Sequence, residues 1–462
     1  MKKISILFRI AVLLVFMGSI NACTTDDLEP TVAQNKSVEK GITTVDNIYG
    51  IIKGAYSGLT ASGYYGRDYI INNEVRSDNC FSNGNSGRFT TQAGFTYDAR
   101  TGYFWDNAYY VIANANVIIG IDVEELEGDV DRAKHIQGQA YALRALAHFD
   151  LVKQYGQQHA GGTLGVPYVK EFKGDNLYPA RNTVAEVLNF IMEDLNKAFN
   201  LMDEAYDEST EFFTKYAVKA LESNVAVYFE MWPEAIAACE AVINTTDYSI
   251  IPAADYVNHW TQDMSANSVF ELAFNSTDNR GNTGLAYIYR TTGGGSYGDV
   301  QVIDDVVNLY ETGDVRADIL GYEGVMLRNI GKYPNNQGYD NVIVVRYEEV
   351  ILNYAEALWR EGQTSGLGLG SALEVLNLIP SNRGASLYTT INENNILLER
   401  RKEFIFEGKR FEELTRMGRD IEKLYLQQNF AATIPYGDYR LAWPVPQAEI
   451  DANSNMMQNE GY

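Results

Sequence analysis

Glu403 and Glu407, four residues apart, are a carboxylate pair whose type and spacing could do acid–base chemistry. One turn of helix would put both on the same face, where one carboxyl could act as general acid and the other as base. Their neighbours argue against it. Arg400 and Arg410 complete a series at spacings of three, four and three, which along one helix predicts a ladder of ion pairs. Flanking arginines stabilise the charged carboxylate and so oppose the raised pKa that a general acid requires. The four residues read as scaffold, no catalytic residue is expected, and the chain is not read as an enzyme.

Other candidates for chemistry are equally spare. The glycines of Gly366-Leu367-Gly368-Leu369-Gly370 look like a phosphate loop, but the Lys-Ser/Thr that would follow is missing and the segment joins two predicted helices. His135, His148, His159 and His259 show no ligand spacing and no cysteine partner, so they read as surface or satisfied core side chains. Cys80 and Cys239 could bridge in an oxidising compartment, but thiols so far apart in sequence are read as separate small buried groups. No His/Cys metal site and no cofactor is expected, and a calcium ion in the Asp- and Asn-rich loops is left open. What the chain does carry is 32 Tyr and 5 Trp. Flat aromatic faces pack on sugar C–H groups, although tyrosines such as Tyr141, Tyr216 and Tyr354 fall on predicted core faces of helices.

These residues must be held by helices. The clearest runs from Thr183 to Met202, with apolar residues at three- and four-residue spacing and a Thr183/Glu186 capping box. Others are expected at Thr214 to Met231, from Pro233 to Ile243, and at about Val45 to Leu59, Tyr103 to Ile119, Asp131 to Tyr155, Tyr347 to Glu361, Ser371 to Leu378 and Asn392 to Met417. They come in antiparallel-looking pairs with the small-residue and aromatic alternation of degenerate tetratricopeptide repeats, for example Ala140, Arg144, Ala147, His148 and Phe149. Tyr64 to Tyr97 and Asn275 to Val300, rich in Gly, Asn, Ser, Thr and Tyr, read as loop insertions with short strands, where function is commonly carried. The predicted class is mainly α. A hydrophobic content of 46% is ample for a core, and composition shows no break inside residues 45–462.

At the start, Lys2 and Lys3, an apolar run from Ile4 to Ile20 and Asn21-Ala22-Cys23 read as a lipoprotein signal peptide over residues 1–22, with Cys23 the residue to be acylated. Residues 23–44 read as a polar tether. Acyl chains, each buried CH₂ contributing ~0.8 kcal/mol, would hold such a protein to a membrane without a spanning helix. Loss of Lys2, Lys3 and Arg9, with no acid removed, takes the formal charge from −24 to −27. A surface so acidic argues against nucleic acid or anionic lipid as partner.

Taken in order, several segments resemble the SusD/RagB family of outer-membrane nutrient-uptake lipoproteins. They are Trp105-Asp106-Asn107-Ala108-Tyr109; Gly138 to Ala145 with Phe149-Asp150-Leu151-Val152, Tyr155-Gly156 and Val166-Pro167; Arg346 to Leu358; Asn382-Arg383-Gly384-Ala385; Glu399 to Arg410; and Trp443-Pro444-Val445-Pro446 to Gln458-Asn459-Glu460-Gly461-Tyr462. Gln139 stands where an acidic residue is usual.

The resemblance implies a lipid-anchored lid on the outer face of the outer membrane. It would capture oligosaccharides, in some members peptides, and pass them to a SusC-like TonB-dependent transporter. The acidic run behind Cys23 resembles the signal for export to the outside surface. Carried over by position, the ligand site would draw on Asp78, Arg88 and Tyr97 from the first insertion and Tyr287, Tyr289 and Tyr297 from the second. A surface adhesion scaffold is the rival class, and it would bind protein while ignoring sugars and peptides.

Overall fold

Local capping fixes where the first long helices begin. Thr44 and Asn47 form a reciprocal capping box ahead of α1 (Val45–Leu59). In this computed structural model, which describes residues 41–172, 177–291, 296–363 and 366–462, the chain continues through α2 (Asp68–Val75), α3 (Trp105–Ile119) and α4 (Val130–Tyr155). Next come α5 (Val184–Leu201), α6 (Lys215–Tyr228), α7 (Trp232–Ile243), α8 (Tyr347–Arg360), α9 (Ala372–Ser381), α10 (Glu393–Phe404) and α11 (Arg410–Arg416). The Thr183/Glu186 box opens α5 as expected. The predicted signal peptide, Cys23 and the tether up to residue 40 lie outside the described residues. Among the described residues no helix is long and apolar enough to cross a membrane.

The helices pack as successive hairpins, α3 on α4, α4 on α5, α5 on α6, α6 on α7, α7 on α8 and α8 on α9, with α1 set against α3 and α4. Polar crosslinks fix their register. Arg144 on α4 donates from Nε and Nη2 to Asp194 on α5 at 2.7 and 2.8 Å, and from Nη1 to Asn116 on α3 at 2.7 Å. Asp150 accepts from the hydroxyls of Tyr64, Tyr65 and Tyr69 at 2.5, 2.8 and 2.9 Å. His148 is a satisfied core side chain: its Nδ1 lies 2.8 Å from the Arg144 carbonyl, its ring stacks on Tyr168, and burial pushes its pKa down to about 3. Cys80 and Cys239 are buried and unbridged. Tyr354 is in the core, whereas Tyr141 and Tyr216 are half-buried, Tyr141 lying under Arg144 and Tyr216 against Phe199.

Two sequence expectations fail for tertiary reasons. The helix expected over Asn392 to Met417 is two helices, because the chain reverses between α10 and α11 with Phe406 and Gly408 at φ of 73° and 75°. Gly408 passes so close to α2 that a Cβ there would sit 2.7 Å from the Ile70 Cα. The ion-pair ladder is therefore not formed. Glu403 instead meets Arg316, Arg346 and Arg383 at 3.1, 2.7 and 2.7 Å, and Glu407 meets Lys332 and Arg346 at 2.6 and 3.0 Å. Arg400 turns to Glu413, and Arg410 to Asp78. Burial alone would raise the pKa of Glu403, but the three arginines hold it well below the usual carboxylate range, and Glu407 is lowered the same way by Arg346 and Lys332. The second difference is α2, a helix inside the predicted first loop. Its Asn72, Asn73 and Glu74 are buried, and the side chains of Asn73 and Glu74 are bonded to the fold rather than solvated.

Short antiparallel strands close the loop regions: β1 (Cys80–Ser82) with β3 (Val300–Val302), β2 (Ser268–Leu272) with β6 (Val342–Arg346), and β4 (Leu320–Glu323) with β5 (Met326–Asn329). The first of these joins the two predicted insertions, pairing Cys80 with Val302, Phe81 with Gln301 and Ser82 with Val300.

Candidate functional site

Beyond β1 the pairing of the two insertions passes from backbone to side chains. Asn83 donates from its backbone N to the Asp299 carbonyl at 3.0 Å and from Nδ2 to the Gly298 carbonyl at 2.7 Å. Asn85 Nδ2 donates to the Tyr297 carbonyl at 2.7 Å. Asp299, fully buried, accepts from the Ser86 backbone N and hydroxyl at 2.9 and 2.8 Å. From below, Arg328 Nη1 donates to the carbonyls of Gly298 and Val300 at 3.0 and 2.8 Å. On the far side the backbone N atoms of Tyr297 and Gly298 donate to the Tyr287 carbonyl. The chain around Tyr297 is thus held from three directions, which preorganises a loop that has little regular structure.

On this frame the Arg88 guanidinium lies over the Tyr297 ring, 4.1 Å from its centroid. Nη1 of Arg88 is tied to the Ser86 hydroxyl at 3.1 Å and to Asp299 at 3.4 Å. Among the described residues nothing takes its remaining donors, and its side chain is 30% exposed. An aromatic ring with a guanidinium held over it offers an apolar surface beside unspent N–H groups. That combination suits a neutral or polyhydroxylated ligand. The carboxylate beside it, Asp299, is spent on Ser86 and Arg88.

The structure separates the six residues expected at the site. Arg88 and Tyr297 come together. Tyr287 is half-buried and joins them through its backbone: its carbonyl carries the Tyr297 loop, while its ring lies 3.4 Å from where a Cβ on Gly338 would sit. Tyr289 is 1% exposed, stacks on Tyr333 and packs against Phe406, so it is a core ring that a solute does not reach. Tyr97 is half-buried among Phe95, Tyr103, Trp443 and Tyr462, with its pKa raised by burial, and works as packing. Asp78 is buried and spends both oxygens on arginine: Oδ1 accepts from Arg410 Nε at 2.7 Å, and Oδ2 from Arg410 Nη2 at 2.9 Å and lies 3.0 Å from Arg401 Nη1. Those arginines hold its pKa well below the usual carboxylate range in spite of burial. Asp299, Asn83, Asn85 and Ser86 were not expected at the site. The Asn-Gly-Asn-Ser-Gly run at 83–87 marked a turn, but its acceptors lie more than 200 residues away and only the β1–β3 pairing reveals them.

Comparison with known proteins agrees with this architecture. Residues 27–227 match a family model described as starch-binding and associating with the outer membrane, and residues 322–462 match the SusD family model. SusD-like protein P38 of Formosa agariphila is 24% identical over an alignment covering 100% of this chain and 99% of that protein. Starch-binding protein SusD of Bacteroides thetaiotaomicron is 29% identical over 140 residues, 29% of this chain and 24% of that protein. A SusD superfamily protein of B. thetaiotaomicron superposes with a TM-score of 0.82 at 26% identity, covering 90% of this chain and 100% of the other. With its stacked helical hairpins, its joined insertions and both family models in chain order, this chain belongs to the SusD/RagB family.

Proposed function

We propose that this protein captures oligosaccharides at the surface where the two insertions meet and passes them to a partner TonB-dependent transporter of the outer membrane. The observation that carries the reading is the Arg88 guanidinium seated over Tyr297, with the loop beneath it pinned by Asp299, Asn83 and Asn85. Stacking supplies the face for sugar C–H groups, and the free donors of Arg88 supply hydrogen bonds to hydroxyl or ring oxygens. Membership of a family described by starch binding and outer-membrane association, and a relative named for starch binding, support a glycan as ligand.

The rest of the reading comes from the sequence. Cys23 is the proposed lipidated residue and residues 23–44 the tether of a single domain over residues 45–462 facing the cell exterior. A shallow platform of this kind gives affinities in roughly the micromolar to millimolar range. Closure of the lid over a channel would raise the local ligand concentration and offset that weakness. The mechanism is capture, closure and hand-over, with no bond broken.

Calorimetry of the Cys23→Ser chain against a panel of glycans and mixed peptides tests this. Binding to one glycan class that is lost in Tyr297→Ala and weakened in Tyr287→Ala is the expected result. Binding to peptides alone would replace the ligand class, and enzyme-like cleavage of any glycan would defeat the mechanism.

A further inference from the structure

A cavity of about 460 Å³ lies between the first turn of α3, residues 167–171 and 177–179, and the C-terminal stretch 449–456. That volume is within the range of small-ligand pockets. Three hydrogen bonds pin its walls: the Tyr109 hydroxyl donates to the Pro167 carbonyl, Asn453 Nδ2 to the Pro179 carbonyl and Asn455 Nδ2 to the Tyr178 carbonyl, each at 2.8 Å. The half-buried Tyr109 ring and the aliphatic Leu177, Pro179 and Met456 give it an apolar lining. Trp105 lines it as well, only 2% exposed and packed on Tyr109 with ring centroids 4.9 Å apart. Among the described residues the Trp105 indole N–H has no hydrogen-bond acceptor, and it is not sealed off as the indole nitrogens of Trp260 and Trp443 are. An N–H so placed ordinarily finds an acceptor.

Charge selects the ligand class. The charged side chains of the lining are Asp106, Glu171 and Glu449, with no lysine, arginine or histidine among them. None of the three forms an ion pair among the described residues, in contrast with the buried Glu403 and Glu407. Glu449 is half-buried, and burial together with the Asp106 charge raises its pKa. Arg181, whose charge acts on Tyr109, does not line the cavity and spends its donors on the carbonyls of Tyr155, Gly165 and Met457 and on Asn459. An anion would meet three unneutralised carboxylates, and a neutral molecule would leave them as they are. A cation relieves them. The aliphatic wall suits a methylene stem, and the Trp105 N–H calls for an oxygen acceptor on the same ligand. A lysine residue carries all three: an ammonium, a stem and a main-chain carbonyl.

We propose that this cavity binds a lysine side chain of a polypeptide, with the ammonium donating to Asp106 and Glu449, the methylenes against Tyr109 and Met456, and the main-chain carbonyl accepting from Trp105 Nε1. The exposed Glu171 adds to the attraction. The site shares no residue with the surface where the insertions meet and does not rest on the glycan reading.

The test is run on the full Cys23→Ser chain carrying Tyr297→Ala, so that the insertion surface contributes nothing. Nα-acetyl-lysine methylamide is titrated by calorimetry and saturation-transfer NMR. Its counter-probes are the norleucine analogue, which lacks the charge, cadaverine, which lacks the carbonyl, and glucosamine, a cation on a sugar ring. The lysine derivative is expected to bind at a single site, cadaverine severalfold more weakly and the other two not at all. Glu449→Gln and Asp106→Asn are each expected to weaken the lysine derivative by roughly fivefold or more, while Glu234→Gln, an exposed acid on α7 outside the lining, changes nothing. Removing one of two like charges leaves the unfolding midpoint of Glu449→Gln no lower, which separates lost binding from lost folding. The site is overturned if the lysine derivative does not bind, if any counter-probe binds as tightly, or if binding survives Glu449→Gln and Asp106→Asn together. Each of these leaves the insertion surface to its own glycan titration.

Discussion

The surroundings of Glu403 and the surroundings of Arg88 are built from the same kinds of side chain, yet they do opposite things. Around Glu403, carboxylates and guanidinium groups are fully buried and nearly every charge faces a partner: Arg316 reaches Asp314, Glu399 and Glu403, and Arg383 reaches Glu348 and Glu403. Around Arg88 a single carboxylate, Asp299, holds one edge of the guanidinium and the rest lies over a half-exposed ring. A saturated network has nothing left to offer a ligand and serves to lock one arrangement of elements. An unsaturated one, kept rigid from behind, is what binding requires.

Breaking the saturated side has the largest expected effect. Glu403→Gln leaves three buried arginines short of a charge and should cost roughly 3–5 kcal/mol in urea unfolding; a loss below ~1 kcal/mol would show that the network does not hold the fold. Next comes acid. Burial opposes ionisation of Glu413, but Arg400 and Arg416 hold its pKa down to about 2. Its folded value lies below the unfolded one, so its stabilisation is complete above about pH 4.5 and is lost as pH falls towards about 2. Stability measured across that window should fall less steeply in Glu413→Gln than in the native chain.

On the unsaturated side the expected changes are smaller and appear in binding rather than folding. Tyr297→Ala should weaken the glycan by about tenfold, with the unfolding midpoint nearly unchanged. Arg88→Lys keeps the charge but loses the planar stack, and should weaken it by about threefold in the same calorimetric titration. Equal effects of Lys and Ala at position 88 would mean that stacking, not charge, carries all of the contribution.

Much of this contrast was legible in the sequence, and what was not has a common cause. The sequence located α1 without its cap, and periodicity with the Thr183/Glu186 box located α5, since both signals are local. The break between α10 and α11 was hidden because it depends on Gly408 passing over Ile70, a contact made across most of the chain. The same applies to α2, whose polar residues look like a loop until their buried partners are known. At the site, the resemblance placed Arg88 and Tyr297 in the two regions that the fold joins. It also picked Tyr289 and Tyr97, because composition does not distinguish a loop aromatic that packs inward from one that faces water. Asp299 went unseen because its role rests on the pairing of Cys80–Ser82 with Val300–Val302.

Deuterium exchange of the full chain, with and without a bound glycan, tests most directly the claim that the joined insertions bind while the buried network only supports them. Protection is expected in peptides covering residues 80–90 and 296–302, with exchange in α4, α8 and α10 unchanged. Protection confined to those helices, with the insertion peptides unaffected, would contradict it.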